Sequence, residues 1–169
     1  MIKGTKGVDM YKVDTEAAVV DYADMVYRLA YINAKNKPDA EDIFQEVFLR
    51  LLKYKDRIKS EEHLKAWLIR VTVNRCHKHF SSAWKKKTVS MEQEIPDEQV
   101  FEIEEENEEV IAAIKQLSPL RRNIIHLHYY EGYALKEIAT MLDKSQSSIK
   151  TEAFRAREVL RGKLEGSTW

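Results

Sequence analysis

Hydrophobic positions recur at three- and four-residue spacing along most of the chain, the signature of amphipathic helices, and no sustained alternation of period two marks a strand. From about Thr15 to Ala34, Val19, Tyr22, Ala23, Val26, Tyr27, Ala30 and Tyr31 line one stripe. The segment NAKNKP interrupts it, and Asp39 is read as the cap of a second helix, Ala40 to Tyr54. That helix carries two apolar rows, Ile43, Val47, Leu51 and Phe44, Phe48, Leu52, a face wider than one helix contact requires. After a connection over Lys55 to Ser60, a third helix runs from Glu61 to about Phe80 with Leu64, Trp67, Leu68 and Val71 inward. Its other positions are basic and polar.

Periodicity lapses from Ser81 to about Phe101 and resumes near Glu102 or Glu104 through Leu117. Ser118-Pro119 signals a stop and restart, with Leu120 to Tyr130 helical and Gly132 the natural residue beyond its end. Then come a short helix packed by Leu135, Ile138, Ala139 and Leu142, a turn at Asp143-Lys144-Ser145, and a longer helix to Leu164, begun by Ser145 or Ser147 and packed by Ile149, Ala153, Ala156 and Leu160. This is the helix-turn-helix arrangement, whose second helix enters the DNA major groove. Its outer face carries Ser147, Ser148, Lys150, Thr151, Phe154, Arg155 and Arg157, mixing phosphate donors with side chains that reach base edges.

Charge sharpens this picture. The 169 residues hold 28 basic and 28 acidic side chains, a formal net charge of zero that by itself argues against a nucleic-acid partner. The charges are segregated, however. Residues 50–87 have twelve bases and three acids, 88–109 have ten acids and no base, and 110–169 have ten bases and six acids. Such blocks mark separate surfaces for separate partners. Charged residues make up 33% of the chain, with five Gly and three Pro, which favours a largely helical protein over a turn-rich β fold.

The single cysteine, Cys76, excludes an internal disulfide; no run is apolar enough to span a membrane, and MIKGTKGVDMYKVD lacks the apolar core of a secretory signal. A cytoplasmic location is expected. Cys76, His77 and His79, or His126 and His128, match no paired zinc spacing, so no metal or cofactor site is expected. Without a glycine-rich phosphate loop or a nucleophile constellation, neither catalytic residues nor a small-molecule substrate is expected.

Three motifs, PDAEDIFQEVFLRLLKY (38–54), HLKAWLIRVTVNRCHKH (63–79) and LSPLRRNIIHLHYYEGYALKEIATMLDKSQSSIKTEAFRAREVLR (117–161), together resemble bacterial RNA polymerase sigma factors of the extracytoplasmic-function group, in the family's order and spacing. The resemblance implies an all-α protein of two small helical domains: a region 2-like bundle over residues 1–82, a flexible acidic linker over 83–105, and a region 4-like helix-turn-helix domain over 106–169. It implies core RNA polymerase and promoter DNA as partners, with an anti-sigma factor as the family's usual inhibitor. The alternative is a helix-turn-helix regulator that is not a polymerase subunit. By the same resemblance, Asp42, Gln45, Glu46, Phe48 and Leu49 contact core polymerase, although Phe48 and Leu49 also fit core positions of the bundle. Lys65, Arg70, Asn74, Arg75 and Lys78 hold the opened minus-10 strand, with Trp67 read as core or as a stacking platform. The segment Ser145 to Arg157 reads the minus-35 element, and Glu152 stands where the family commonly has Arg. Glu152 either accepts from cytosine N4 or points away from the DNA. The acidic linker is read as a spacer or, by the resemblance, as a strand that mimics nucleic acid against basic walls of the polymerase; shielding of the chain's own basic faces is a separate expectation.

Overall fold

The computed structural model describes residues 10–86 and 108–165, all of whose regular elements are helical. They are α1 (Thr15–Asn33), α2 (Lys37–Tyr54), a single 3₁₀ turn (Lys55–Arg57), α3 (Glu61–Lys86), α4 (Glu108–Lys115), α5 (Pro119–Ile125), a π-helical turn (His126–Tyr130), α6 (Leu135–Met141) and α7 (Gln146–Leu164). Of the linker assigned to 83–105, residues 87–105 lie outside the described residues, and of the acidic block 88–109 only Glu108 and Glu109 are described.

Helix starts follow side-chain chemistry. Asp14 accepts from the Ala17 amide at 3.1 Å and opens α1. The α2 cap is Asn36 rather than Asp39: its side chain accepts from the Asp39 amide at 2.9 Å, and Pro38, lacking an N–H, sits in the first turn where none is needed. Ser60 Oγ accepts from the His63 amide at 3.0 Å at the start of α3. That helix runs six residues beyond the expected Phe80, since the stretch from Glu61 to Lys86 holds no Gly or Pro to end it. The expected helix from Leu120 to Tyr130 instead widens after Ile125. There the Glu131 amide bonds to His126 O at 3.2 Å and Tyr133 N to Leu127 O at 3.0 Å, and the His126 and Tyr130 rings stack 5.3 Å apart.

Helices α1, α2 and α3 pack on one another, and α5, α6 and α7 form a second group. The two groups also meet, because α1 packs against α4 and α5, and α3 against α6. This explains why α1 buries more than the single stripe its sequence shows. Met25, Leu29, Ile32 and Asn33 are buried as well, whereas Val19 stays exposed. One apolar cluster runs through both groups, including Leu29, Ile43, Leu51 and Leu68 from the first and Ile124, Leu127, Ile138 and Ile149 from the second. Each such side chain stabilises the fold by roughly 1.5–3 kcal/mol relative to exposure. A smaller cluster of Ile114, Leu117, Ile125 and Ala156 ties α4, α5 and α7.

Candidate functional site

The helix-turn-helix is built by local bonds. Glu137 reaches back to the Ala134 amide at 2.8 Å to start α6. At its end Asp143 adopts φ +54°, and Lys144 N bonds to Ala139 O at 2.9 Å, closing the helix and turning the chain. Ser145 then caps α7, its Oγ accepting from the Ser148 amide at 3.2 Å. Ile149, Ala153 and Ala156 are buried against α5 and α6, which turns the opposite face outward. That face presents Ser147, Lys150, Thr151, Phe154 and Arg155, all exposed, with Phe154 58% accessible. Ser148 is half-buried at the margin, and Arg157 turns aside to the Tyr129 hydroxyl at 3.3 Å. Glu152 lies at the other margin, bonded to Arg121 of α5 at 2.6 Å and to Arg155 at 3.0 Å. Its carboxyl is held below the usual range, chiefly by the Arg121 hydrogen bond.

On α3, Arg70, Asn74 and Lys78 follow at four-residue spacing and form one exposed ridge. Lys65 and Arg75 leave that ridge. Arg75 pairs with Glu46 of α2, and Lys65 Nζ sits 5.0 Å over the Tyr133 ring. The ridge itself faces the second helical group: Arg70 Nε donates to Met141 O at 3.1 Å, and Arg70 and Asn74 border a cleft of about 980 Å³ shared with α5, α6 and the turn after α6. Trp67 is half-buried, 6.1 Å from the Tyr54 ring, and packs against the core.

On α2, Asp42, Gln45 and Leu49 are exposed, while Glu46 and Phe48 are half-buried. Phe48 fills both positions considered for it, packing on Phe44 at 5.0 Å and lining an apolar groove of about 580 Å³ with Val19, Leu49 and Leu52. Leu49 and Leu52 are 61% and 52% exposed there, an unusual state for paired leucines on one helix. Glu46 is engaged inside the molecule, with Arg75 and with Arg50 at 3.8 Å.

Residues 18–86 match the family model for sigma-70 region 2, and residues 107–160 match that for sigma-70 region 4. Among relatives, the ECF RNA polymerase sigma factor SigX of Bacillus subtilis (strain 168) is 28% identical, over 85% of this chain and 80% of its own. SigW of the same organism, also an ECF RNA polymerase sigma factor, is 28% identical over 96% of this chain and 95% of its own. The chain belongs to the sigma-70 family of RNA polymerase sigma factors, in the ECF group. Its fold is shared by the sigma factor RpoE of Bartonella quintana, solved in complex with the anti-sigma factor NepR, with a TM-score of 0.77, 18% identity and coverage of 92% of this chain and 99% of that one. CnrH, solved with the cytosolic domain of CnrY, has a TM-score of 0.66 at 18% identity, over 91% of this chain and 89% of that one.

As a sigma factor, the protein is a transcription initiation factor, and it directs RNA polymerase to promoters. The alternative of a regulator that is not a polymerase subunit is disfavoured, because the region 2 match spans α1 to α3. Cys76 of this sigma factor is buried, and burial pushes its thiol up to about 12, far from a reactive thiolate. His126 faces Glu131 at 3.5 Å while His128 bonds to Tyr133 O at 2.7 Å, so the two imidazoles have separate structural partners. No described helix is long and apolar enough to cross a membrane.

Three features escaped the sequence. Arg121 gave no signal as the partner of Glu152. Glu61, read from the sequence as the start of the third helix, accepts hydrogen bonds from both the Tyr11 and Tyr22 hydroxyls. Asn33 and Arg122 carry the polar seam between the two helical groups: Asn33 bonds to Asn123, and Arg122 donates to Ile32 O at 3.3 Å and to Leu117 O at 2.9 Å.

Proposed function

We propose that this sigma factor reads the minus-35 element with the outer face of α7 and the minus-10 element with the α3 ridge, while α2 docks on core RNA polymerase. The observation that carries the reading is the segregation on α7, where Ile149, Ala153 and Ala156 are sealed inside and Ser147, Lys150, Thr151, Phe154 and Arg155 face out. Ser148 and Arg157 supply flanking phosphate contacts. Arg70, Asn74 and Lys78 track the opened strand, and Lys65 and Arg75 join them once released from Tyr133 and Glu46. Asp42, Gln45, Phe48 and Leu49 form the polymerase face, and Glu46 beside them holds Arg75 until the strand is opened. The domain bounds in this reading are 1–82, 83–105 and 106–169, and α3 runs past the first of them to Lys86.

In the docked arrangement this machinery is closed. Minus-10 and minus-35 elements lie roughly 85 Å apart on B-form DNA at ~3.4 Å per base pair. Two helical groups in contact do not straddle that distance, and Arg70 is engaged in the seam. Promoter engagement therefore separates them. An anti-sigma factor is a further partner, by likeness to RpoE, and the protein works in the cytoplasm beside polymerase without catalytic activity of its own. The deciding experiment maps transcription starts made by purified core polymerase with and without this protein. New, sequence-related starts are expected; identical start sets would overturn the reading.

A further inference from the structure

Glu152 is an acid on a helix that meets a polyanion. Three observations on its surroundings resolve that conflict. First, both carboxylate oxygens are occupied: Oε2 accepts from Arg121 Nε at 2.6 Å and Oε1 from Arg155 Nη1 at 3.0 Å. Second, the side chain is withdrawn, 19% exposed, whereas that of Arg155 one turn later is 58% exposed. Third, the carboxylate lies between two guanidiniums, so the triad carries a net positive charge and the acid adds no net repulsion of phosphate.

We propose that Glu152 is a positioning residue for minus-35 recognition: anchored to α5 by Arg121, it aims Arg155 at the DNA and does not itself read a base. The proposal rests on the assignment of α7 to the upstream element. A guanidinium has five N–H donors, and the bond to Glu152 uses one of them. The remaining donors of Arg155 stay free for the paired acceptors of a guanine edge or for a phosphate. An arginine on an exposed helix otherwise samples many rotamers, and fixing it beforehand reduces the ordering cost on binding. For Glu152 to accept from a cytosine instead, it would have to release Arg121 and leave the rim of the helix.

The test compares upstream base preference, read by transcription from a template library randomised over the minus-35 element, using core polymerase with the whole sigma factor. The proteins are wild type, E152A, R121A, R155A, E152A/R155A and K150A/F154A. E152A and R155A are expected to lose preference at the same base position, by at least roughly fivefold. The double variant should be no worse than R155A, since Glu152 acts through Arg155. R121A leaves α7 unaltered and should give a smaller loss at that same position. Loss of preference in E152A at a position that R155A leaves intact would make Glu152 a base reader and overturn the proposal; unchanged preference in E152A would overturn it as well. If R155A initiates normally with unchanged upstream preference, Arg155 does not read the element and the proposal falls; if K150A/F154A keeps that preference as well, the assignment of α7 itself fails.

Discussion

Asn33 and Asn123, ninety positions apart, share a hydrogen bond of 2.7 Å in the interior, where each is under 5% exposed. Asn33 spends its other amide hydrogen on Leu29 O at 2.9 Å, so it is anchored in α1 and reaches across to α5. The cross-bond is directional, in contrast to the apolar cluster around it, and fixes how the two helical groups meet. Beside it, Arg122 is half-buried with its Nε unpartnered, and burial holds its guanidinium below the usual value. A seam with an unpaired buried donor is held less firmly than a fully satisfied core.

The Asn123→Ala variant should therefore open the molecule. Leaving the Asn33 amide half-satisfied costs about 1–3 kcal/mol, charged to the docked state because separation lets water reach the group. Small-angle scattering should show a larger radius of gyration, and affinity for minus-10 single strand should rise as Arg70 is released. An unchanged radius together with unchanged affinity would show that this pair does not control docking.

The polymerase face makes a different demand. Leu49 is 61% exposed and borders the apolar groove, so Leu49→Asp leaves the core nearly intact. Core-polymerase affinity should fall at least ~10-fold, in line with the loss of an interface anchor, with little change in melting temperature. Glu46→Ala should behave in the opposite sense. It releases Arg75 and lowers stability by up to ~1 kcal/mol for a partly exposed pair, with a smaller effect on polymerase. Titration of both variants with labelled core polymerase separates the two roles.

Glu61 and its tyrosines set a pH window. The Tyr11 and then Tyr22 hydrogen bonds hold the Glu61 carboxyl below its usual range, so its contribution is present above the ordinary carboxyl value and is lost as pH falls through the folded one. The hydroxyls respond in reverse. Hydrogen bonding to Glu61, then burial, pushes Tyr11 up to about 12, and burial, then the Glu61 bond, raises Tyr22. That contribution is present below the ordinary tyrosine value of ~10 and fades above it. Melting curves from acid to alkaline pH should show both losses in wild type. In Glu61→Gln the acid-side loss should shrink, and retention of the full slope would remove Glu61 from the account.

Helix positions and the reading face of α7 were legible in the sequence because they depend on local periodicity and caps. Ile149, Ala153 and Ala156 must point one way, and Lys150, Thr151 and Phe154 the other, whatever else the chain does. What escaped is long-range pairing. The single apolar stripe on α1 says that one face is covered, but nothing local tells that Asn33 will meet Asn123 or that Arg121 will claim Glu152. Asn36 replaced Asp39 as the α2 cap for a local reason: Pro38 fits inside the first turn as well as before it.

Cys76 offers a native reporter of the docked seam. It is 2% exposed on α3 and borders the same cleft as Asn33 and Asn123, and burial pushes its thiol up to about 12. Reaction with a thiol reagent requires the thiolate, so in the docked protein labelling must wait for opening. Separation of the helical groups admits water to this side of α3 and relieves the burial that suppresses ionisation. Labelling in wild type should thus be slow and should accelerate about 5- to 150-fold in Asn123→Ala, the factor that 1–3 kcal/mol of lost docking confers on the open population. Addition of core polymerase with promoter DNA should accelerate it too, since simultaneous engagement of both promoter elements holds the groups apart. Equal labelling rates in free protein, variant and promoter complex would place Cys76 inside the α1–α3 bundle alone and remove the seam as its gate.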